Sequence, residues 1–191
     1  GHYGFTKGHI FDHSLKGFSA VILGKNLAEM RKNPNVAYIE PDIIMTACGQ
    51  TVPTGIKRIL ASSNTVVSID GTEDTPDVDV AVVDTGVDTS HPDLNVSGGI
   101  RYYNAGSTDG NYNDNNGHGS HVAGTIAARD NGIGVVGVCP GARIWAVKVL
   151  DSSGSGYVSD IIAGLNWVVA QKNIEVVNMS LSRITVCLKF M

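Results

Sequence analysis

The strongest apolar run in the chain is VDVAVVDTG, residues 78–86, which ends on an acid and a glycine. A nearly continuous run of this length, without alternation, predicts a strand covered on both faces of a parallel sheet. ARIWAVKVL at 142–150 has the same texture and predicts a second buried strand, and IEVVNMSL at 174–181 predicts a third. Between them the period changes. Residues 117–128 read as a helix. Ser159 stands as an N-cap before DIIAGLNWVVAQK, in which Ile161, Ile162, Leu165, Val168 and Val169 form one helical stripe. Strands alternating with helices predict an α/β parallel sheet with flanking helices.

The first fifty residues are patterned differently. HIFDHSLKGFSAVIL, 9–23, predicts extended chain with a turn at Lys16-Gly17. Asn26 is a candidate N-cap for LAEMRKN, with Leu27 and Met30 on the apolar face, and Pro34 stops that helix. VAYIE, Val36–Glu40, predicts a strand. A strand–helix–strand unit this small is marginal alone. Residues 43–56, with Gly49, Pro53 and Gly55, read as an irregular boundary.

Composition narrows the classes. A chain of 191 residues that is 42% hydrophobic and 17% charged can bury a core, as one domain or as a small domain with part of a larger one. A net charge of −4 gives no reason to expect a nucleic-acid or membrane-surface partner. No apolar run approaches the ~20 residues of a membrane span, and GHYGFTKGHI does not read as a signal peptide. Cys48, Cys139 and Cys187 form neither a disulfide framework nor a zinc spacing, and leave the redox compartment open.

Ligands of open α/β sheets sit beyond the carboxyl ends of the strands. Asp84 lies at one such end, Asn178–Ser182 at another, and SSGSG at 152–156 follows the middle strand. His118 opens a helix in NGHGSHVAGT, residues 116–125, with glycines on both sides. An acid and an imidazole at one sheet edge can form an oriented base, in which the carboxylate fixes the tautomer and the other ring nitrogen takes a proton from a nucleophile. Taken singly, an acid at a strand end is more often structural.

Three segments in order carry a resemblance. DTGVDTSHPDL at 84–94, NGHGSHVAGT at 116–125 and VNMSLS at 177–182 resemble the subtilisin-like serine peptidases, near proteinase K and the bacterial subtilisins. The resemblance runs from about Gln50 to Ser182. It implies a partial subtilisin-like sheet in which Asp84 is the catalytic acid and His118 the general base, with His121 at a packing position. Ser153, Gly154, Ser155 and Gly156 match one substrate-binding strand, and Ser180, Leu181 and Ser182 match the facing one. A protein or peptide substrate laid between two strand edges gains main-chain hydrogen bonds without sequence specificity. The resemblance also implies a structural calcium held by Gln50, Asp93, the Asn131 side chain and the carbonyls of Arg129, Ile133 and Val135, oxygens of the kind calcium takes.

LKGFSAVI and LAEMRKNPNVAYIEPD resemble the inhibitor propeptide of the same family, a small α+β ferredoxin-like module that chaperones the enzyme and blocks its cleft. The implied layout is a propeptide over 1–47, shortened at its front, the first part of the catalytic domain over 48–182, and a tail of other origin over 183–191. Autocleavage is expected within Met45–Gln50, and Glu40 and Asp42 either sit at helix N-termini or are solvated. The resemblance implies secretion, an intramolecular inhibitor and a monomer. The family's nucleophilic serine and oxyanion asparagine belong to motifs later than Ser182, so the expectation is an acid–base pair without its serine, inactive by itself. The competing class is an inactive propeptide-type inhibitor or binding protein. A zinc hydrolase on His118 and His121 lacks the i, i+4 spacing with an intervening glutamate, and Gly132-Ile133-Gly134 lacks the strand–GxGxxG–helix setting of a dinucleotide site.

Overall fold

The structure is a computed structural model that describes residues 5–47, 55–66, 69–73, 75–131 and 134–183. β1 (Thr6–Phe11) and β2 (Gly17–Val21) pair antiparallel as a hairpin whose connection is Asp12–Lys16; Gly17, expected in the turn, is instead the first residue of β2, paired with Phe11. α1 (Gly24–Met30) follows and buries Met30. Its N-cap is Leu23, without a side-chain cap, so Asn26 does not start the helix as expected; the Asn26 N–H already bonds the Leu23 carbonyl inside the first turn. Val36–Glu40 is not a strand either. Strand-forming composition is not enough without a neighbouring backbone to bond. The strand falls later, at β3 (Ile44–Ala47), inside the stretch that read as irregular.

After α2 (Gly55–Arg58) and a 3₁₀ turn at Ala61–Ser63 comes β4 (Asp79–Asp84), the first strand of the main sheet. The rest follow in order: β5 (Val96–Tyr103), β6 (Ser107–Asp109), α3 (His118–Ala127), β7 (Arg143–Lys148), β8 (Ser155–Tyr157), α4 (Val158–Gln171), β9 (Val176–Asn178) and β10 (Leu181–Arg183). The main sheet runs β6-β5-β7-β4-β9, parallel except for β6. A second sheet runs β10-β3-β8, antiparallel throughout.

Both faces of the central strands β4 and β7 are covered, which is why they show no polar alternation, whereas Val176 and Val177 of the edge strand β9 are exposed. Val80, Val82, Ile144 and Ala146 pack with Val122, Ala123 and Ala127 of α3. Ala81, Val83 and Val147 pack on the other face with Ile161 and Val168 of α4. Each fully buried Val or Ile contributes roughly 1.5–3 kcal/mol.

The N-terminal segment docks on α4. Ser159 is not the N-cap; Tyr157 holds that position and its side chain makes no capping hydrogen bond. The cap comes from a distant residue instead, because Asp42 Oδ1 accepts from the Ser159 N–H at 2.8 Å and Oδ2 from the Ser159 hydroxyl. The nearby Val158 N–H donates to the Ile43 carbonyl at 3.0 Å. Further along the same helix, His9 Nε2 lies 3.0 Å from the buried Asp160 Oδ1, and the His13 N–H donates to Asn166 at 2.8 Å. Among the described residues no helix is long and apolar enough to cross a membrane.

Candidate active site

β4 delivers Asp84 to the rim of the sheet, and α3 delivers His118 as its first residue. The backbone between them allows no side chain. A Cβ on Gly119 would lie 2.0 Å from the Gly86 carbonyl, so glycine is what lets the helix start touch the strand end. Gly117, the N-cap, has φ of 104°, in the left-handed region. The result is direct contact: His118 Nδ1 lies 2.8 Å from Asp84 Oδ1 and 2.9 Å from Oδ2. Asp84 is fully buried, whereas the His118 side chain keeps 13% of its surface exposed. An ionised carboxylate only accepts, so the neutral ring carries its proton on Nδ1 and presents a lone pair at Nε2. That is the tautomer a general base needs.

Supporting residues fix both partners. The Thr85 N–H donates to Asp84 Oδ1 at 2.6 Å. Thr85 Oγ1 accepts from the Gly119 N–H and donates to Asp114 Oδ1, each at 2.9 Å. Asp114 also accepts from the N–H groups of Asn116, Gly117 and Ser120 and from the Ser120 hydroxyl. Burial pushes the Asp114 carboxyl up, yet the donors at Gly117, Ser120 and Asn116 outweigh it and hold the group below the usual carboxylate range.

The second sheet holds the segments expected to bind substrate. β3 lies between β8 and β10, with Met45 opposite Gly156, Thr46 opposite both Ser155 and Ser182, and Ala47 opposite Leu181. Of the residues expected to bracket a peptide, Ser155, Gly156, Leu181 and Ser182 lie in these ladders. Ser153 and Gly154 do not. They form the turn before β8, where Asp151 Oδ1 accepts from the Ser153 N–H and hydroxyl. Ser180 precedes β10 and accepts from Asn178 Nδ2 at 3.1 Å.

The expected calcium set is described in part, since Gln50 and Ile133 lie outside the described residues. Asp93 is 2% exposed, and its Oδ2 accepts from the Val135 N–H at 3.1 Å. Its Oδ1 is buried with no hydrogen-bond partner among the described residues. A buried, unpartnered carboxylate oxygen costs free energy that a cation would relieve, so the site fits the ion on its charged ligand. The Arg129 N–H donates to the Asp93 carbonyl at 3.0 Å, and its guanidinium pairs with Glu73 at 2.9 Å. That leaves the Arg129 carbonyl as the group to offer. No cluster of three or more His, Cys, Asp or Glu that could hold a metal ion occurs among the described residues.

His121 is exposed, so the packing role expected of it is not what the structure shows; it sits on the solvent side of α3 while Val122 and Ala123 take the core. Cys139 is a half-buried free thiol, pushed up in pKa by burial. Cys48 and Cys187 lie outside the described residues. The sequence reading missed Thr85, Asp114, Asn115 and Lys148. Lys148 had left a signal, being one charge inside an apolar strand.

Residues 75–187 match the model of the "Subtilase family", and residues 1–47 match "Peptidase inhibitor I9". Subtilisin E of Bacillus subtilis is 47% identical over 163 residues, 85% of this chain and 41% of that protein. M-protease of Shouchella clausii is 46% identical over 173 residues, 91% of this chain and 43% of that protein. A thermostable alkaline protease of Halalkalibacterium halodurans is 44% identical over 162 residues, 85% of this chain and 42% of that protein. The chain thus spans about two fifths of the length of these relatives.

Proposed function

The chain belongs to the subtilase family, and on that premise we propose that it carries the acid and base of a subtilisin-like serine endopeptidase together with its own inhibitory propeptide. The observation that carries this is the contact of His118 Nδ1 with both oxygens of the buried Asp84, supported by β3, which is paired between the strands that match the substrate-binding segments. Asp84 holds His118 in its Nδ1–H tautomer and stabilises the imidazolium that forms when Nε2 takes a proton. The acceptor side of the reaction is a peptide carbonyl, attacked by a serine hydroxyl that His118 deprotonates; His118 then returns the proton to the leaving amine. A substrate backbone would take the place of β3 between Ser155-Gly156 and Leu181-Ser182, gaining main-chain hydrogen bonds with broad sequence preference. Ser153, Gly154 and Ser180, next to the ends of β8 and β10, would border that substrate backbone.

The domain layout we propose is a propeptide over 1–47, catalytic-domain sequence over 48–182 and a separate tail over 183–191. We assign Asp93, Asn131 and the carbonyls of Arg129, Ile133 and Val135, with Gln50, to a structural calcium, which would fasten the loop after α3. The unpartnered Asp93 oxygen supports this. We propose a secreted monomer. By themselves the 191 residues are expected not to hydrolyse peptides, because none of their serines stands in the family's nucleophile motif. Incubation with a serine-directed phosphonate probe tests this: no covalent adduct is expected, and stoichiometric labelling would overturn it.

A second reading, favoured by the placement of β3, is that the N-terminal segment acts as an inhibitor of other subtilases. Residues 1–47 should then inhibit subtilisin E at submicromolar concentration, and full activity at a large excess would dispose of this role.

A further inference from the structure

Among the described residues Lys148 is the one lysine buried in the core, 3% exposed at the end of β7, and it is the register partner of Asp84. Its ammonium has three protons to donate, and each finds an acceptor on a different loop. One goes to the Thr85 carbonyl, one to Asn115 Oδ1 at 2.8 Å and one to the Leu150 carbonyl at 3.1 Å. Thr85 follows the acid, Asn115 precedes the base, and Leu150 leads into the turn before β8. Burial disfavours the charge and pushes the amine down, with Asp114 acting against that shift. An apolar side chain would fill the same space without that cost. What the ammonium adds is a fixed distance among three loops.

Thr85 passes that constraint on. Its carbonyl is held by Lys148, its N–H holds Asp84 Oδ1, and its hydroxyl receives the Gly119 N–H next to the base. We propose that Lys148 is a positioning residue for the Asp84–His118 pair, acting through Thr85 and Asn115 rather than touching substrate. This rests on the reading of Asp84 and His118 as an acid–base pair.

The test uses proton NMR of the whole 191-residue chain. An imidazole N–H strongly bonded to a carboxylate and shielded from water gives a far-downfield resonance, and an Asp84→Asn variant assigns it by removing it. In Lys148→Met, which keeps the stem and removes the ammonium, the resonance should be lost while circular dichroism and methyl dispersion stay those of a folded chain. In Asn115→Ala, a change at an exposed residue, the resonance should persist but exchange severalfold faster with solvent. An unchanged resonance in folded Lys148→Met overturns the proposal. If that variant does not fold, an unchanged exchange rate in Asn115→Ala overturns it. If the unmodified chain shows no resonance sensitive to Asp84→Asn, the acid–base reading itself fails and the proposal falls with it.

Discussion

Asp114 gathers five donors from Thr85, Asn116, Gly117 and Ser120, and so fastens the loop that carries His118. Asp114→Ala leaves those donors unsatisfied and should destabilise the chain by about 3 kcal/mol in urea unfolding at neutral pH. Its pH dependence has a definite sign. The folded carboxyl is held below the ordinary range, so its contribution is complete above about pH 4 and is lost as pH falls through the folded value. Asp114→Asn should therefore flatten the acid limb of the stability curve; an unaltered limb would show that the group is not linked to folding. At this scale Asp84 and His118 were legible, because each sits in a long, distinctive segment. Thr85 and Lys148 were not, because they act on residues 29 to 63 positions away, and Asp114 was not, because its donors converge only when its loop closes on Ser120 and Thr85.

α4 is stabilised at its N-terminus by a residue outside it. Asp42 takes over a task that the sequence had assigned to Ser159. Asp42→Ala should cost about 1 kcal/mol, the usual value of a lost cap, and should speed amide exchange of the first turn of α4 and proteolysis near β3. Equal protection in both forms would mean that the N-terminal segment docks without this contact. The buried strands β4 and β7 were legible as continuous apolar runs. β5 was not, since VSGGIRYY has two glycines and no clean period. Val36–Glu40 had the opposite fate: its composition fits a strand, but the ladder formed at Ile44–Ala47, where two partners were available.

The molecule as a whole is two segments of one chain folded onto each other, with β3 as the shared strand. That arrangement escaped the sequence because β3 exists only through pairing with residues more than a hundred positions away. If Asp93 holds calcium, an ion concentration a hundredfold above its Kd stabilises the fold by about 2.7 kcal/mol. The thermal midpoint should then rise by roughly 5 to 10 °C, and Asp93→Asn should abolish the rise. Calcium-independent melting would argue that the buried oxygen is satisfied in another way. The most direct measurement is kcat/KM for peptide hydrolysis by subtilisin E in which residues 75–183 of this chain replace the segment they match, with and without His118→Ala. The graft should hydrolyse peptides, and His118→Ala should lower kcat/KM by roughly 10⁴-fold or more. A folded graft that hydrolyses equally well without the His118 imidazole would contradict the assignment of His118 as the base and Asp84 as its partner.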